Sequence, residues 1–78
     1  MKAVFVQIKC ELGRAYEVAA AIADSEVASE IYSTAGAFDL LVKCYLDDDA
    51  DPGHFVTETI QRYSGIRDTR TIMTFRAF

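Results

Sequence analysis

The sequence predicts an α+β fold in which strands and helices follow one another in the order βαββαβ. Three observations support this prediction. Alternating apolar residues, with a period of two, indicate strands. Two segments between them carry apolar residues at helical spacing. The two halves of the chain also resemble each other, because Ile8-Lys9-Cys10 recurs as Val42-Lys43-Cys44 and Ser25-Glu26-Val27 recurs as Ser64-Gly65-Ile66.

The first half predicts a strand over residues 4–9, a helix over residues 14–23 and a second strand over residues 27–35. The first strand alternates between apolar and mixed positions until Leu12-Gly13 breaks it. The helix has one apolar stripe, formed by Ala15, Val18, Ala19 and Ile22. Gly36 ends the second strand.

The second half repeats this plan after a tight connection. Residues 39–46 form the most apolar strand, and the following segment Asp47-Asp48-Asp49-Ala50 is predicted to be a solvated loop. The dipeptide Asp51-Pro52 is typical of a helix N-cap followed by the first helical position. Gly65 is placed to cap the end of this helix, and the last strand is predicted over residues 69–75. The apolar stripe of the helix consists of Phe55, Val56, Ile60 and Tyr63.

Two strand-helix-strand units of this kind form a ferredoxin-like fold, here one domain spanning residues 1–78. Right-handed crossovers place both helices on one face of a four-stranded antiparallel sheet. The other face carries Phe5, Leu41 and Tyr45 from the two central strands, which makes it too apolar for full exposure on a monomer. We therefore expect these three side chains to form a dimer interface. The alternative is that they are isolated surface residues without a partner.

Composition and charge exclude several classes of function. The net charge is −4 and the eight basic residues are scattered singly, so no direct binding to nucleic acid is expected. No apolar run approaches the roughly 20 residues that span a bilayer. The first residues also lack the apolar core of a signal peptide. The sequence therefore predicts a cytoplasmic protein without membrane association.

Residues with catalytic or metal-binding chemistry are few. His54 is the only histidine and has no evident serine, cysteine or metal-ligand partner, so we expect no catalytic residues, no metal and no cofactor. The run Asp47-Asp48-Asp49 with Asp51 lacks the glycine and distal glutamate of an EF-hand loop. Cys10 and Cys44 are interpreted as small apolar core residues. The alternative is a redox pair, which requires both to lie near the same end of neighbouring strands.

The most informative stretch is Ala-Gly-Ala-Phe-Asp-Leu-Leu-Val-Lys at residues 35–43. Considered locally, Gly36 allows a turn at positive φ and Asp39 begins the third strand, which predicts a simple hairpin. The stretch also resembles the signature of the ligand-binding (RAM) domain of the Lrp/AsnC family of transcription regulators. The family often has Thr-Gly where this chain has Ala35-Gly36. The resemblance covers essentially the whole chain, including the first strand, the Gly13-led helix, Phe55-Val56 and Thr69-Arg70-Thr71.

This resemblance implies a domain that binds an amino acid or similar small effector between dimers. Such domains dimerise through their sheet faces and assemble further, commonly into octamers. Full-length members carry a helix-turn-helix before this domain. Because the sequence starts with the domain, we expect a stand-alone version without a helix-turn-helix, for which full-length Lrp/AsnC regulators are candidate partners. The expected ligand-binding residues are Gly36, Ala37, Phe38, Asp39, Thr69 and Thr71.

Four of these residues can be justified by simple chemistry. Backbone N–H groups around Gly36 can approach a carboxylate closely, since no Cβ intervenes. Asp39 can pair with the ammonium group of the ligand. Thr69 and Thr71 share one side of a strand and offer hydroxyl groups, although both residues are equally ordinary in a strand.

Three alternatives remain open at this point. A cofactor-free oxygenase of the dimeric α/β-barrel kind uses the same fold and sheet-face dimer, but it needs polar groups converging in an apolar cavity. A ligand-free structural partner of full-length regulators needs no site at all. An ACT-type amino-acid-binding domain places its glycine-bearing loop after the first strand, and only Gly13 favours it.

Overall fold

The computed structural model describes residues 1–78 and has the predicted order of elements. These are β1 (Lys2–Cys10), α1 (Ala15–Asp24), β2 (Glu30–Ser33), β3 (Leu40–Leu46), α2 (Pro52–Thr59) and β4 (Ile66–Met73). All strand pairs are antiparallel and form one sheet with the order β2-β3-β1-β4. The predicted fold class is thus confirmed. Neither helix is long and apolar enough to cross a bilayer.

One face of the sheet packs against both helices. Alternate residues of β1 and β3 point to this side, as the burial pattern of both strands shows. The helices complete the same core with the apolar stripes predicted from their sequences. The core consists of Val4, Val6, Ile8, Cys10, Val18, Ile22, Leu40, Val42, Cys44, Leu46, Val56 and Ile60.

The opposite side of the sheet, the outer face, is crossed by rows of paired residues. The central row consists of Glu30, Lys43, Phe5 and Ile72, from β2, β3, β1 and β4. The next row toward the β2–β3 hairpin, the hairpin row, consists of Tyr32, Leu41, Gln7 and Arg70. Phe5, Leu41 and Tyr45 therefore lie on the face where the sequence placed them, and no helix of this chain covers them.

β2 is shorter than the predicted strand over residues 27–35. Only Glu30–Ser33 pairs fully with β3, although the N–H of Ser29 still donates to the carbonyl of Lys43 at 2.7 Å. Residues 27 and 28 instead pack their side chains against the core from a connecting segment. An apolar pattern does not distinguish a strand from a connection that buries its side chains.

α2 ends earlier than predicted, at Thr59. The N–H groups of Ile60 and Gln61 both donate to the carbonyl of Val56 at 2.9 Å, which ends the regular helical pattern. Ile60 and Tyr63 still pack against the core from the turn that follows. The apolar stripe predicted for a longer helix is therefore real, but its last members belong to a turn.

Gly65 has a positive φ of 95°, as a helix-capping glycine would, but it lies beyond the end of α2. It forms the turn into β4, and its carbonyl accepts a hydrogen bond from the N–H of Glu11 at 2.8 Å. Because the strand begins directly after this turn, β4 covers Ile66–Met73 and not the predicted residues 69–75.

Cys10 and Cys44 are both free and buried, but they lie at opposite ends of the sheet. Cys44 is opposite Val4 in the antiparallel register, and Cys10 lies six residues further along β1. That is a separation of about 20 Å for a strand that rises about 3.3 Å per residue. The two cysteines therefore lack the arrangement that a redox pair requires, and that alternative is wrong. Burial raises the pKa of both thiols, which fits their interpretation as apolar core residues.

Candidate functional site

The β2–β3 hairpin carries four of the predicted ligand-binding residues. It is closed by a hydrogen bond from the N–H of Thr34 to the carbonyl of Asp39 at 2.9 Å, and the Thr34 hydroxyl donates to the carbonyl of Phe38 at 2.9 Å. Gly36 has a φ of 105°, a conformation that glycine adopts without strain. A Cβ built on Gly36 would meet no atom within 4 Å. The backbone at the tip of the hairpin is therefore open to an approaching molecule.

Asp39 ties the start of β3 to the end of β1. Its N–H donates to the carbonyl of Ile8 at 2.8 Å, and its Oδ2 accepts a hydrogen bond from the N–H of Cys10 at 2.8 Å. The carboxylate thereby satisfies a backbone donor where the pairing of β1 with β4 shifts, between Lys9 and Cys10. Asp39 is half-buried, and its Oδ1 makes no hydrogen bond within the chain. The residue has the strand-initiating role that its local sequence predicted and retains capacity as an acceptor.

Two clefts flank the hairpin and together contain three of the predicted residues, with Asp39 in one and Ala37 and Phe38 in the other, while Gly36 lines neither. The first, the loop cleft, has a volume of about 250 Å³ and lies between the hairpin and the loop that precedes α1. Asp39 lines it together with Lys9, Glu11, Gly13 and Tyr16. This cleft thus combines the turn between β1 and α1 with Asp39, the only carboxylate in the loop that joins β2 to β3.

The second, the outer cleft, has a volume of about 380 Å³ and lies on the outer face. Ala37 and Phe38 of the hairpin form one side, and Gln7, Leu41 and Arg70 of the hairpin row form its floor. The guanidinium carbon of Arg70 lies 5.7 Å from the centroid of the Phe38 ring. Phe38 therefore reaches from the hairpin toward β4 across the end of the sheet.

The centre of the outer face contains an ion pair between aromatic rings. Lys43 Nζ lies 3.3 Å from the Glu30 carboxylate, 5.0 Å from the centroid of Tyr45 and 6.0 Å from that of Phe5. Hydrogen bonds from Tyr32 and then Lys43 lower the pKa of Glu30. Because this cation already has its partners within one chain, covering it leaves no unpaired charge.

Thr69 and Thr71 lie apart from the hairpin residues. They are opposite Ile8 and Val6 in the register, so their side chains share the face that carries the helices. The Thr69 hydroxyl accepts a hydrogen bond from the side-chain amide of Gln61 at 2.7 Å. Neither threonine lines the loop cleft or the outer cleft. Within one chain the six predicted residues therefore do not form a single site.

The remaining polar residues form no metal or catalytic cluster. His54 is exposed in the first turn of α2, where Asp51 Oδ1 caps the helix by accepting from the N–H groups of Gly53 at 3.0 Å and His54 at 3.3 Å. The acidic loop is held by the N-terminus, whose ammonium lies 3.3 Å from the carboxylate of Asp48. No three histidine, cysteine, aspartate or glutamate side chains are placed to hold a metal ion.

Comparison with known protein families decides the identity of this fold. The model of the Lrp/AsnC ligand binding domain matches residues 3–78. The chain belongs to the Lrp/AsnC ligand-binding domain family. The resemblance inferred from the stretch at residues 35–43 is thereby confirmed. Among curated proteins, no sequence matches the chain significantly.

Solved structures agree with this assignment. TTHA0845 from Thermus thermophilus is 32% identical, with a TM-score of 0.89 over 100% of this chain and 98% of that one. E. coli AsnC is 22% identical, with a TM-score of 0.81 over 96% of this chain and 51% of that one. NMB0573 of Neisseria meningitidis, a transcriptional regulator solved in complex with L-Met, is 19% identical, with a TM-score of 0.79 over 96% and 50%. The chain thus spans about half the length of these two regulators, whose likeness shows the shared fold alone.

Sequence reasoning missed Gln7 and Arg70, which complete the outer cleft of this Lrp/AsnC domain. Arg70 lies between Thr69 and Thr71, so strict alternation along β4 places it on the opposite face from them. That alternation was available in the sequence. The reach of Phe38 toward Arg70 was not, because it depends on how the hairpin folds over the end of the sheet.

Proposed function

We propose that the chain binds an amino acid or similar small effector at the β2–β3 hairpin and works as a regulatory module, not as an enzyme. The observation that supports this proposal most directly is that only one oxygen of the Asp39 carboxylate accepts a hydrogen bond within the chain. One oxygen is held by the N–H of Cys10, while Oδ1 is available to the ammonium group of a ligand in the loop cleft. The open backbone around Gly36 offers N–H groups for the carboxylate end.

The family supports an amino acid as the ligand class. Its model describes a ligand-binding domain, and the Neisseria regulator was solved with L-Met. Gly36, Ala37, Phe38 and Asp39 lie together on the hairpin, as this proposal requires. Thr69 and Thr71 line neither cleft, so a role for them requires a ligand that also contacts β4 of another subunit.

We further propose that the outer face forms a homodimer interface, and that dimers assemble into a larger ring, commonly an octamer in the family. Phe5, Leu41 and Tyr45 supply apolar area on the uncovered side of the sheet. The internal pairing of Lys43 with Glu30 reduces the electrostatic penalty of covering this face. Full-length Lrp/AsnC regulators in the cytoplasm are candidate partners of such an assembly.

The oxygenase alternative has weaker support. Such an enzyme needs polar groups that converge in an apolar cavity between the helices and the sheet. His54 is exposed at the start of α2 and lines neither cleft. The loop cleft and the outer cleft are both open to the surface, and neither is an enclosed cavity.

A thermal-shift screen against the twenty amino acids, followed by calorimetric titration, tests the effector site. A ligand at one hundred times its Kd should stabilise the protein by about 2.7 kcal/mol. Asp39→Asn keeps an oxygen for Cys10 but removes the charge that pairs with an ammonium group. It should weaken binding of the best amino acid about tenfold or more. Asp24→Asn, which removes the same charge at the exposed end of α1, is the control. Equal affinities of wild type and Asp39→Asn would refute the proposed role of Asp39.

A further inference from the structure

Arg70 projects over the outer cleft without a carboxylate partner. The ion pairs of the chain join Met1 to Asp48, Arg14 to Glu17 and Lys43 to Glu30, and none of them involves Arg70. Yet Arg70 lies on the outer face, where the central cation Lys43 is fully paired. If a second copy covers this face, an unpaired guanidinium beneath it is strongly unfavourable.

The guanidinium of Arg70 is oriented by Phe38. The ring of Phe38 lies 5.7 Å from its central carbon, a distance typical of a cation–π contact. A guanidinium is planar and presents its N–H donors at the edge of the plane, so a neighbouring ring leaves donors available. This fork of donors matches the two oxygens of a carboxylate.

The rest of the outer cleft is uncharged. Leu41, Ala35 and Ala37 are apolar, Gln7 offers an amide, and the Thr34 hydroxyl is already bonded to the carbonyl of Phe38. No acidic residue lines this cleft, so it has no counter-charge for an ammonium group. Asp39, the carboxylate of the hairpin, lines the loop cleft instead. The volume of about 380 Å³ falls within the range of small-molecule sites.

We propose that the outer cleft is a second small-molecule site, which binds a monocarboxylate with an uncharged remainder, such as a 2-oxo acid, through a bidentate contact with Arg70. A 2-oxo acid keeps the carboxylate of the corresponding amino acid but replaces the ammonium group with a neutral carbonyl. The Gln7 amide can donate to that carbonyl, and the apolar side chains can contact the carbon chain. The site requires neither Asp39 nor an ammonium group, so it can be tested independently of the amino-acid site.

Calorimetric titration with pyruvate, 2-oxobutyrate and 2-oxoisovalerate tests this proposal, with valine as the matched amino acid for the last of them. We expect at least one 2-oxo acid to bind the wild type. Arg70→Ala should weaken that binding about tenfold or more, and Arg70→Lys should lose part of it, because the charge remains but the planar fork is lost. Arg67→Ala removes an exposed arginine of the same strand that does not line the outer cleft and should leave binding unchanged.

A comparison of Arg70→Ala with Asp39→Asn separates the two sites. Asp39→Asn should retain the 2-oxo acid and lose the amino acid, whereas Arg70→Ala should do the reverse. The proposal is overturned if none of the three 2-oxo acids binds the wild type, or if Arg70→Ala and Arg70→Lys bind them as the wild type does. If none of them binds and Arg70→Ala also weakens self-association in sedimentation equilibrium, Arg70 pairs with a carboxylate of another subunit and not with a small molecule.

Discussion

The Asp39 carboxylate accepts a hydrogen bond from the backbone N–H of Cys10 at 2.8 Å, across the boundary between two strands. A side chain here replaces a backbone partner at the point where the pairing of β1 with β4 is irregular. The residue that we propose to pair with the ligand is therefore also part of the scaffold. Its substitution has two consequences that must be separated.

Asp39→Ala should lower the free energy of unfolding by about 1–3 kcal/mol, because it leaves the N–H of Cys10 without its partner. Asp39→Asn should lose less than about 1 kcal/mol, since the amide oxygen can accept the same bond. Urea unfolding without ligand measures both values. Equal losses for the two variants would show that the hydrogen bond to Cys10 contributes nothing. A ligand test that relied on Asp39→Ala alone would confuse weak binding with a weakened hairpin.

Tyr45→Lys should shift the protein from dimer toward monomer. The new ammonium would lie on the outer face beside Lys43, whose Nζ is 5.0 Å from the Tyr45 ring. Burying an unpaired charge in the interface should raise the dimer dissociation constant by about a hundredfold or more. Light scattering at micromolar concentration measures the mass. Thr57→Lys, on the exposed side of α2, adds the same charge away from the sheet and should have no effect. A wild-type mass of one chain would refute the proposed interface.

Cys10 and Cys44 should both resist thiol reagents in the native protein. They are 3% and 0% exposed, and burial raises the pKa of each thiol, so less thiolate is present at any given pH. At pH 8, titration with a disulfide reagent should detect almost no reactive thiol in buffer and two in guanidinium chloride. Mild oxidation should leave the monomer mass unchanged in mass spectrometry. An internal disulfide would contradict the antiparallel placement of the two residues.

The sequence predicted the fold well because its patterns were strict. Val4, Val6 and Ile8 alternate with more polar neighbours, and both helices have continuous apolar stripes, so the faces of each element followed directly. The errors occurred where side chains pack as they would in a helix or strand although the backbone lacks the corresponding hydrogen bonds. Tyr63 packs like a helical residue from a turn, and residues 27 and 28 pack like strand residues from a connection.

The candidate site was predicted less completely, for a geometric reason. The stretch at residues 35–43 located the hairpin and Asp39, both of which are local features. Which residues of the hairpin line which cleft depends on the side of the sheet to which the neighbouring strands direct their side chains. Arg70 and Gln7 are 63 positions apart in sequence, yet the register places them opposite each other. Such a pairing is set by the sheet as a whole and not by any one segment.

Gly36 and Gly65, in the turns before β3 and β4, offer a direct test of the local geometry. Both have positive φ, 105° and 95°, so alanine at either position should cost about 1–2 kcal/mol in backbone strain. A Cβ on Gly36 would meet no atom within 4 Å, whereas one on Gly65 would lie 3.0 Å from Val18 Cγ2 and 3.1 Å from Arg14 Cζ. Gly65→Ala should therefore lose about 1–3 kcal/mol more than Gly36→Ala through overpacking.

Urea unfolding of both glycine variants, at one fixed protein concentration because self-association contributes to stability, measures this difference. If the two losses are equal, the Arg14 side chain and α1 move aside at little cost. If Gly36→Ala loses more, the tip of the hairpin is not open but packs against another subunit. That second result would place the hairpin in a subunit contact even without ligand, and the amino-acid site would then have to form at that contact.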